Sequence, residues 1–230
     1  MNYTLRFARQ TLGGLLGSWF FWLNTAIMAA LTLFIVSEFG PLLTTPALAE
    51  VAAGQLAYTS LATGTLLVLM FAQQVFVAEK QQRSLLALLC TPAAAGDILS
   101  GKAAGLTAAA LLGAGISLLL PLLKYPVMLA ALAGLKTGAA FAIVGGMLLC
   151  YSLLVGMLLL CCAEARFVYP ALFIVNGMVI SAQKHSRGYL EAHGLGGANW
   201  LHLVSLLVLC AAAAGVYSLY FSRQRMVSSA

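Results

Sequence analysis

The sequence predicts an all-α, polytopic membrane protein that forms a single transmembrane domain over residues 1–230. The first observation is composition: 62% of the residues are apolar, 8% are charged, and the mean hydropathy is +0.99. A soluble domain is about half apolar and a quarter charged. The second is that the apolar residues gather in runs of about 20, the length of a membrane-spanning helix. Together these exclude an ordinary soluble protein, a disordered chain, a disulfide scaffold and an outer-membrane barrel.

Residues 1–18 precede the first apolar run and predict an interfacial helix. On a helix, one face is apolar and the other is basic, polar or small. The apolar face carries Leu5, Leu12, Leu16 and Trp19, and the opposite face carries Arg6, Arg9, Gln10, Gly13 and Gly17. An amphipathic helix of this kind lies in the headgroup region of a membrane. A solvated tail is the alternative that the sequence leaves open.

Six apolar runs follow, and each predicts a membrane-spanning helix. They cover residues 19–37, 54–77, 103–123, 137–161, 167–183 and 200–221. Because an even number of spans returns the chain to its starting side, both termini lie on one side of the membrane. Of the 12 Lys and Arg residues, eight then lie with the termini and four opposite them. The positive-inside rule therefore predicts that both termini are cytoplasmic.

Residues 78–102 link the second and third spans and are predicted to lie in the cytoplasm. The segment opens with charges, continues with leucines and is interrupted at Thr91-Pro92. Glu79 and Arg83 have the spacing of an ion pair on a helix. Thr91 as N-cap and Pro92 as first helical residue predict a short helix before the third span. The leucine stripe is typical either of a helix that docks a soluble partner or of a linker that rests on lipid headgroups, and both interpretations stay open.

The same segment resembles the cytoplasmic loop of type-2 ABC transporter permeases, the ABC-2 superfamily. The matching positions, in the family's order, are Glu79, Ser84-Leu85, Leu88-Leu89, Pro92 and Gly101-Lys102. Arg83 stands where the family often has Gly, and Leu86 where it often has Glu. The compact length and the run from Pro92 to Lys102 are also similar to the haem-exporter B subunit of cytochrome c maturation systems. These features do not separate that subunit from a drug, peptide or lipid exporter.

The resemblance implies a permease subunit of an ATP-driven exporter in the bacterial cytoplasmic membrane. Such permeases pair with a second copy or a paralogue, and each binds a cytoplasmic ABC ATPase that carries ATP and Mg²⁺. The coupling residues implied for this chain are Glu79, Arg83, Leu85, Leu86, Leu88, Leu89 and Pro92. By the same resemblance, residues 184–199 form an outer loop or a re-entrant segment. Membrane lipid is an expected partner, whereas a cofactor, metal or nucleic acid on this chain is not expected.

The predicted spans are almost free of ionisable side chains. Asn24 and Asn176 are the amides well within them, and His202 lies at the start of the last one. These three are the candidates for a translocation path. Buried charges would indicate an ion-coupled carrier, and their scarcity favours a protein that is driven from outside the membrane.

Motifs for other activities are incomplete. The run from Gly96 to Lys102 nearly matches the phosphate loop GxxxxGK[ST], but Ala103 replaces the hydroxyl residue that binds Mg²⁺. Lys102 is predicted instead to anchor the third span at the interface. An intramembrane serine hydrolase needs a serine beside glycine and near a histidine, and neither Ser117 nor Ser152 has that context. A membrane scaffold or assembly factor without a transport path is the other alternative.

Overall fold

The computed structural model describes residues 3–39, 49–81, 90, 93–125 and 135–161, with positions 168, 170, 172–174, 177, 207–208 and 210–218. All regular structure among these residues is helical, which confirms the predicted fold class for them. The helices are α1 (Tyr3–Leu16), α2 (Trp19–Phe39), α3 (Ala49–Ala72), a π-helical segment (Gln73–Val77), α4 (Ala78–Gln81), α5 (Ala95–Lys124) and α6 (Leu135–Cys161).

Four stretches of helix are long and apolar enough to cross a membrane: Trp19–Ser37, Thr59–Gln81, Ala95–Lys124 and Phe141–Cys161. They overlap the first four predicted spans, although the third begins at Ala95 and not at residue 103, and they indicate a membrane protein. Within the fifth and sixth predicted spans, residues 172–174 and 210–218 are helical. Six spans and cytoplasmic termini stay predictions, and the outer segment 184–199 lies outside the described residues.

Helix α5 lies at the centre of the described bundle and contacts α1, α2, α3 and α6. Its buried face consists largely of Gly, Ala, Ser and Thr, and small residues let neighbouring helices approach closely in a membrane. At Gly113, a Cβ would lie 2.8 Å from Leu67 Cδ1 and 3.2 Å from Thr25 Oγ1. Large side chains pack beside this glycine: a Cβ there would also lie 3.9 Å from Phe21 Cε2, and the Phe21 and Phe71 rings stack with centroids 5.2 Å apart.

Two pairs of buried hydroxyl groups connect the helices. Thr107 Oγ1 of α5 and Ser152 Oγ of α6 lie 3.0 Å apart, and Thr32 Oγ1 of α2 and Thr63 Oγ1 of α3 lie 3.3 Å apart. All four side chains are buried. Hydrogen bonds of this kind contribute about 0.6–2 kcal/mol each in membrane helix bundles, so they help to fix the relative register of the helices.

Helix α1 is confirmed as a helix, and its position in the membrane interface stays a prediction. Phe7 and Leu15 are buried, whereas Leu5 is 70% exposed and Trp19 is 73% exposed. Leu12 and Leu16 of the predicted apolar face are partly buried and pack against the core. Helix α1 makes these contacts because it packs against α5.

The turn between α1 and α2 is closed by local hydrogen bonds. Trp22 Nε1 donates to the carbonyl oxygen of Leu16 at 3.0 Å, at the carboxyl end of α1. The backbone N–H of Phe20 donates to Ser18 Oγ at 3.2 Å, the usual arrangement of a serine N-cap. These bonds fix the angle at which α1 leaves the first span and lies across α5.

Helix α5 begins at Ala95, which corrects the prediction of a separate short helix that starts at Pro92. Its N-cap is Ala94, with extended backbone (φ −67°, ψ 147°) and no side-chain cap bond. The helix then runs without a break to Lys124, so residues 95–102 are its first two turns. No proline interrupts residues 95–120, and helix formation therefore propagates directly into the span. Thr91 and Pro92 lie outside the described residues.

Candidate functional site

The candidate site lies at the base of the segment that joins α4 to α5. Here Lys102 Nζ of α5 and Glu79 Oε2 of α4 form an ion pair. The Lys102 side chain is 5% exposed and that of Glu79 is 31% exposed. Because an unpaired buried ammonium is costly, this contact holds the end of α4 against α5. The two flanks of residues 82–94 are therefore tied together.

This pair bears on two predictions from the sequence. Lys102, predicted to anchor the third span at the interface, has its side chain buried within the bundle and paired with Glu79, and its interfacial depth stays a prediction. The predicted Glu79–Arg83 pair stays a prediction, since Arg83 lies outside the described residues.

A π-helical segment precedes α4 and positions Glu79. The backbone N–H of Ala78 donates to the carbonyl oxygen of Gln73, five residues earlier. A π turn takes up one more residue than an α turn, so it sets the face on which the following residues lie, and such turns are frequent at functional sites. The segment packs on α6: a Cβ at Gly156 would lie 2.8 Å from Phe76 Cζ.

Helix α1 covers the start of α5 through two glycines. A Cβ at Gly101 would lie 2.6 Å from the Thr4 carbonyl oxygen, and a Cβ at Gly105 would lie 2.5 Å from the Ala8 carbonyl oxygen. The close approach lets Thr4 Oγ1 donate to Asp97 Oδ1 at 3.2 Å. Thus α1 reaches the first turn of α5 and passes over the helix next to Lys102.

A cavity of about 300 Å³ lies between α1, the π-helical segment, α4 and α5. Among the described residues, its charged lining consists of Glu79 and Lys102, and its neutral polar lining comes from Gln10, Thr11 and Gln74. Phe7, Leu15 and Val75 form its apolar wall. Ligand sites commonly combine an apolar wall with a few polar groups, and this volume is at the lower end of their range.

Among the predicted coupling residues, Glu79 is described by the structure. The others lie outside the described residues: Arg83, Leu85, Leu86, Leu88, Leu89 and Pro92. Among the path residues, Asn24 is buried, and its Nδ2 donates to the carbonyl oxygen of Phe20 at 2.7 Å. Asn176 and His202 lie outside the described residues, so a path lined by these three stays a prediction.

The two serines considered for a hydrolase are engaged in helix packing. Ser117 Oγ donates to the carbonyl oxygen of Gly113 at 2.8 Å, and Ser152 Oγ lies 3.0 Å from Thr107 Oγ1. Both serines are 0% exposed. A nucleophile must meet both a base and a substrate. The three histidines of the sequence, His185, His193 and His202, lie outside the described residues.

Sequence reasoning found Glu79 but missed its partner and the polar lining of the cavity. Gln10 and Thr11 lie on α1, and Gln74 lies in a turn whose π geometry has no sequence signature. One signal was present: residues of opposite charge, Glu79 and Lys102, lie at the facing ends of two consecutive spans. When two such spans form a hairpin, their facing ends are brought close enough for opposite charges to pair, as Glu79 and Lys102 do here.

Comparisons with known proteins leave the family undetermined. No protein-family model matches the chain, and a search of curated proteins finds no similar sequence. The function is therefore argued from the residues and from their geometry.

Proposed function

We propose that this chain is the permease subunit of an ATP-driven ABC exporter in the bacterial cytoplasmic membrane. In this proposal it pairs with a second copy or a paralogue and binds a cytoplasmic ATPase through residues 78–102. The ATPase holds ATP and Mg²⁺, and its closure changes the arrangement of the membrane helices. The resemblance of residues 79–102 to ABC-2 permeases and the four apolar helices support this function.

The observation on which the proposal depends most is the ion-paired base of residues 82–94. This segment leaves α4 and enters α5, and the Glu79–Lys102 pair joins those two helices at its base. Beside the pair, Phe76 and Leu99 both pack against Gly156 of α6, within 3.0 Å of where a Cβ would lie. Because packed interiors have low compressibility, a force on the segment reaches α3, α5 and α6 together.

The energetic requirement explains why a rigid base is useful. To move a two-state equilibrium from 1:99 to 99:1, ATP on the partner must favour one state by about 5.5 kcal/mol. A flexible linker would absorb part of that motion in its own conformational changes. A segment whose flanks are joined by a partly buried ion pair passes that motion to the spans.

Replacement of the predicted docking leucines tests the proposal. The tagged chain is co-expressed with an ABC ATPase that carries a complete GxxxxGK[ST] motif, sought first in the neighbouring reading frames. We expect the double variant Leu88→Asp/Leu89→Asp to insert into the membrane but to lose the co-purified ATPase. The matched control is Leu5→Asp, an exposed leucine of α1 outside the docking segment, which should retain it.

A second measurement separates transport from a scaffold role. Purified in detergent or nanodiscs, the wild-type chain should stimulate ATP hydrolysis by the partner, whereas the leucine double variant should not. If the double variant binds the ATPase as well as the Leu5→Asp control does, residues 88 and 89 are not the docking site. If the wild-type chain binds the ATPase without any effect on its hydrolysis, a scaffold replaces the permease as the better function.

A further inference from the structure

The cavity beside Glu79 and Lys102 has unused hydrogen-bonding capacity. An ammonium group carries three donors, and Glu79 Oε2 is the one acceptor that Lys102 meets among the described residues. Lys102 is 4% exposed and lines the cavity, so acceptors for its remaining donors come from water or a ligand that enters this cavity. A buried donor without a partner is unfavourable. A ligand with anionic oxygens in the cavity would supply the missing acceptors.

The position of Lys102 along α5 places the cavity at the depth of lipid headgroups. Lys102 and Lys124 are 22 residues apart on one continuous helix, which corresponds to about 33 Å at 1.5 Å per residue. The hydrocarbon core of a bilayer is about 30 Å thick. Lys124 is exposed and lies over the ring of Tyr125, a residue type that favours the membrane interface. When Lys124 marks one boundary, Lys102 lies at the other.

We propose that this cavity binds the headgroup of a zwitterionic phospholipid, a phosphate with a primary ammonium beside it. The phosphate accepts from Lys102, while the ammonium lies near Glu79, and both residues line the same cavity. Gln10, Thr11 and Gln74 supply neutral hydrogen-bonding groups around them. Phe7 and Leu15 give the apolar wall on which the glycerol and acyl chains rest. Lipid headgroups lie at both faces of a bilayer, so the proposed site can be occupied whichever side of the membrane it faces.

A pair of neighbouring glycines provides a matched test of occupancy. Gly14 lines the cavity, and a Cβ there would meet nothing within 4 Å. A leucine at position 14 can therefore fill the space without displacing the backbone. Gly13 is equally open but does not line the cavity. We expect the leucine of Gly14→Leu to exclude the headgroup from the cavity, so that its phosphate loses the charged hydrogen bond to Lys102. Lipid retention should fall at least about tenfold, while Gly13→Leu retains the lipid.

The measurement is native mass spectrometry of the chain released from micelles that contain equal amounts of dioleoyl phosphatidylethanolamine and dioleoyl phosphatidylglycerol. Wild type and Gly13→Leu should retain one phosphatidylethanolamine in preference to phosphatidylglycerol. Lys102→Gln should retain neither, whereas Lys124→Gln, the matched change at the other end of α5, should behave as wild type. Glu79→Gln should reverse the preference in favour of phosphatidylglycerol, because it removes the partner of the lipid ammonium and the repulsion of a net negative headgroup.

Three results would overturn the proposal. The first is equal lipid retention by Gly14→Leu and Gly13→Leu, which would place the bound lipid elsewhere. The second is equal retention of the two lipids by the wild-type chain, which would remove the role assigned to Glu79. The third is displacement of the lipid by millimolar soluble phosphoethanolamine, which would assign the site to a free metabolite of the same chemistry. Because the Gly14 test leaves the ion pair intact, it stays informative even if Lys102→Gln fails to fold.

Discussion

At the scale of single residues, two glycines decide whether α1 can lie on α5. The backbone oxygens of Thr4 and Ala8 occupy the space where Cβ atoms of residues 101 and 105 would be, at 2.6 and 2.5 Å. Because a backbone oxygen cannot rotate away as a side chain can, any other residue at these positions moves the whole helix. The position of α1 over the cavity therefore depends on them.

We expect Gly101→Ala and Gly105→Ala each to lower the free energy of unfolding by about 1–3 kcal/mol, the cost of an overpacked contact. Gly115→Ala is the control, since it lies on the same helix with nothing within 4 Å of its Cβ. That change should raise stability by up to about 1 kcal/mol through helix propensity. Unfolding in detergent and tryptic cleavage at Arg6 and Arg9 are the measurements. The same sign of change at all three positions would show that α1 does not dock there.

Thr25 is a buried residue whose hydroxyl group makes no hydrogen bond in the structure. Replacement by the isosteric valine removes an unsatisfied polar atom, so Thr25→Val should raise the free energy of unfolding by about 1–2 kcal/mol. Thr107→Val removes the partner of Ser152 and should lower it by about 1 kcal/mol. Equilibrium unfolding of both variants in SDS titrations measures the two effects. A loss of stability in Thr25→Val would mean that the Thr25 hydroxyl group makes a hydrogen bond when the protein is in a membrane.

At the scale of the elements, the π-helical segment is the irregular part of the second span. Its geometry corresponds to a continuous α-helix with one extra residue inserted. The wide turn accommodates that residue, so the residues of α3 and of α4 that face the bundle keep their orientation. Phe71 before it and Phe76 within it are both buried. The insertion therefore lets the core contacts of α3 coexist with the approach of Glu79 to Lys102.

Deletion of Gln73 tests this interpretation. The chain should re-form as a regular α-helix with α4 still aligned, so the free energy of unfolding should change by no more than about 1 kcal/mol. Deletion of Ala62, within the regular part of α3, rotates the following residues by about 100°. That deletion should cost several kcal/mol, because Leu67 and Phe71, both fully buried, leave the core. Thermal unfolding of the two deletion variants measures both effects. Similar losses of stability in both would argue against an inserted residue at the π-helical segment.

Composition predicted the elements better than it predicted their contacts. Apolar runs of sufficient length identified the first four spans, because burial in lipid depends on each segment by itself. The packing of α1 on α5 could not be predicted in that way, because it depends on the close approach of the two backbones at Gly101 and Gly105. The same holds for the site: Glu79 followed from a local motif, but its pairing with Lys102 depends on the packing of two spans.

At the scale of the whole molecule, the two ends of the bundle differ in chemistry. The end that carries Glu79 and Lys102 also carries the basic residues of α1 and the start of residues 82–94. The other end carries Lys124 and Tyr125 at the carboxyl end of α5. If the chain functions as proposed, the first end faces the cytoplasm, where an ATPase can reach it.

Accessibility of single cysteines to a membrane-impermeant maleimide tests this orientation together with the number of spans. The background variant keeps Cys90, which is exposed, and has alanine at the other four cysteine positions. In intact spheroplasts Cys90 should stay unlabelled, and it should react after permeabilisation. In a background without any cysteine, Ser228→Cys should behave in the same way, whereas Thr44→Cys, between α2 and α3, should react from outside.

Ser186→Cys is the decisive position: six spans place it outside, and four spans place it with Cys90. Its protection in intact spheroplasts would remove the fifth and sixth spans, and labelling of Cys90 there would reverse the orientation and leave no surface for a cytoplasmic ATPase.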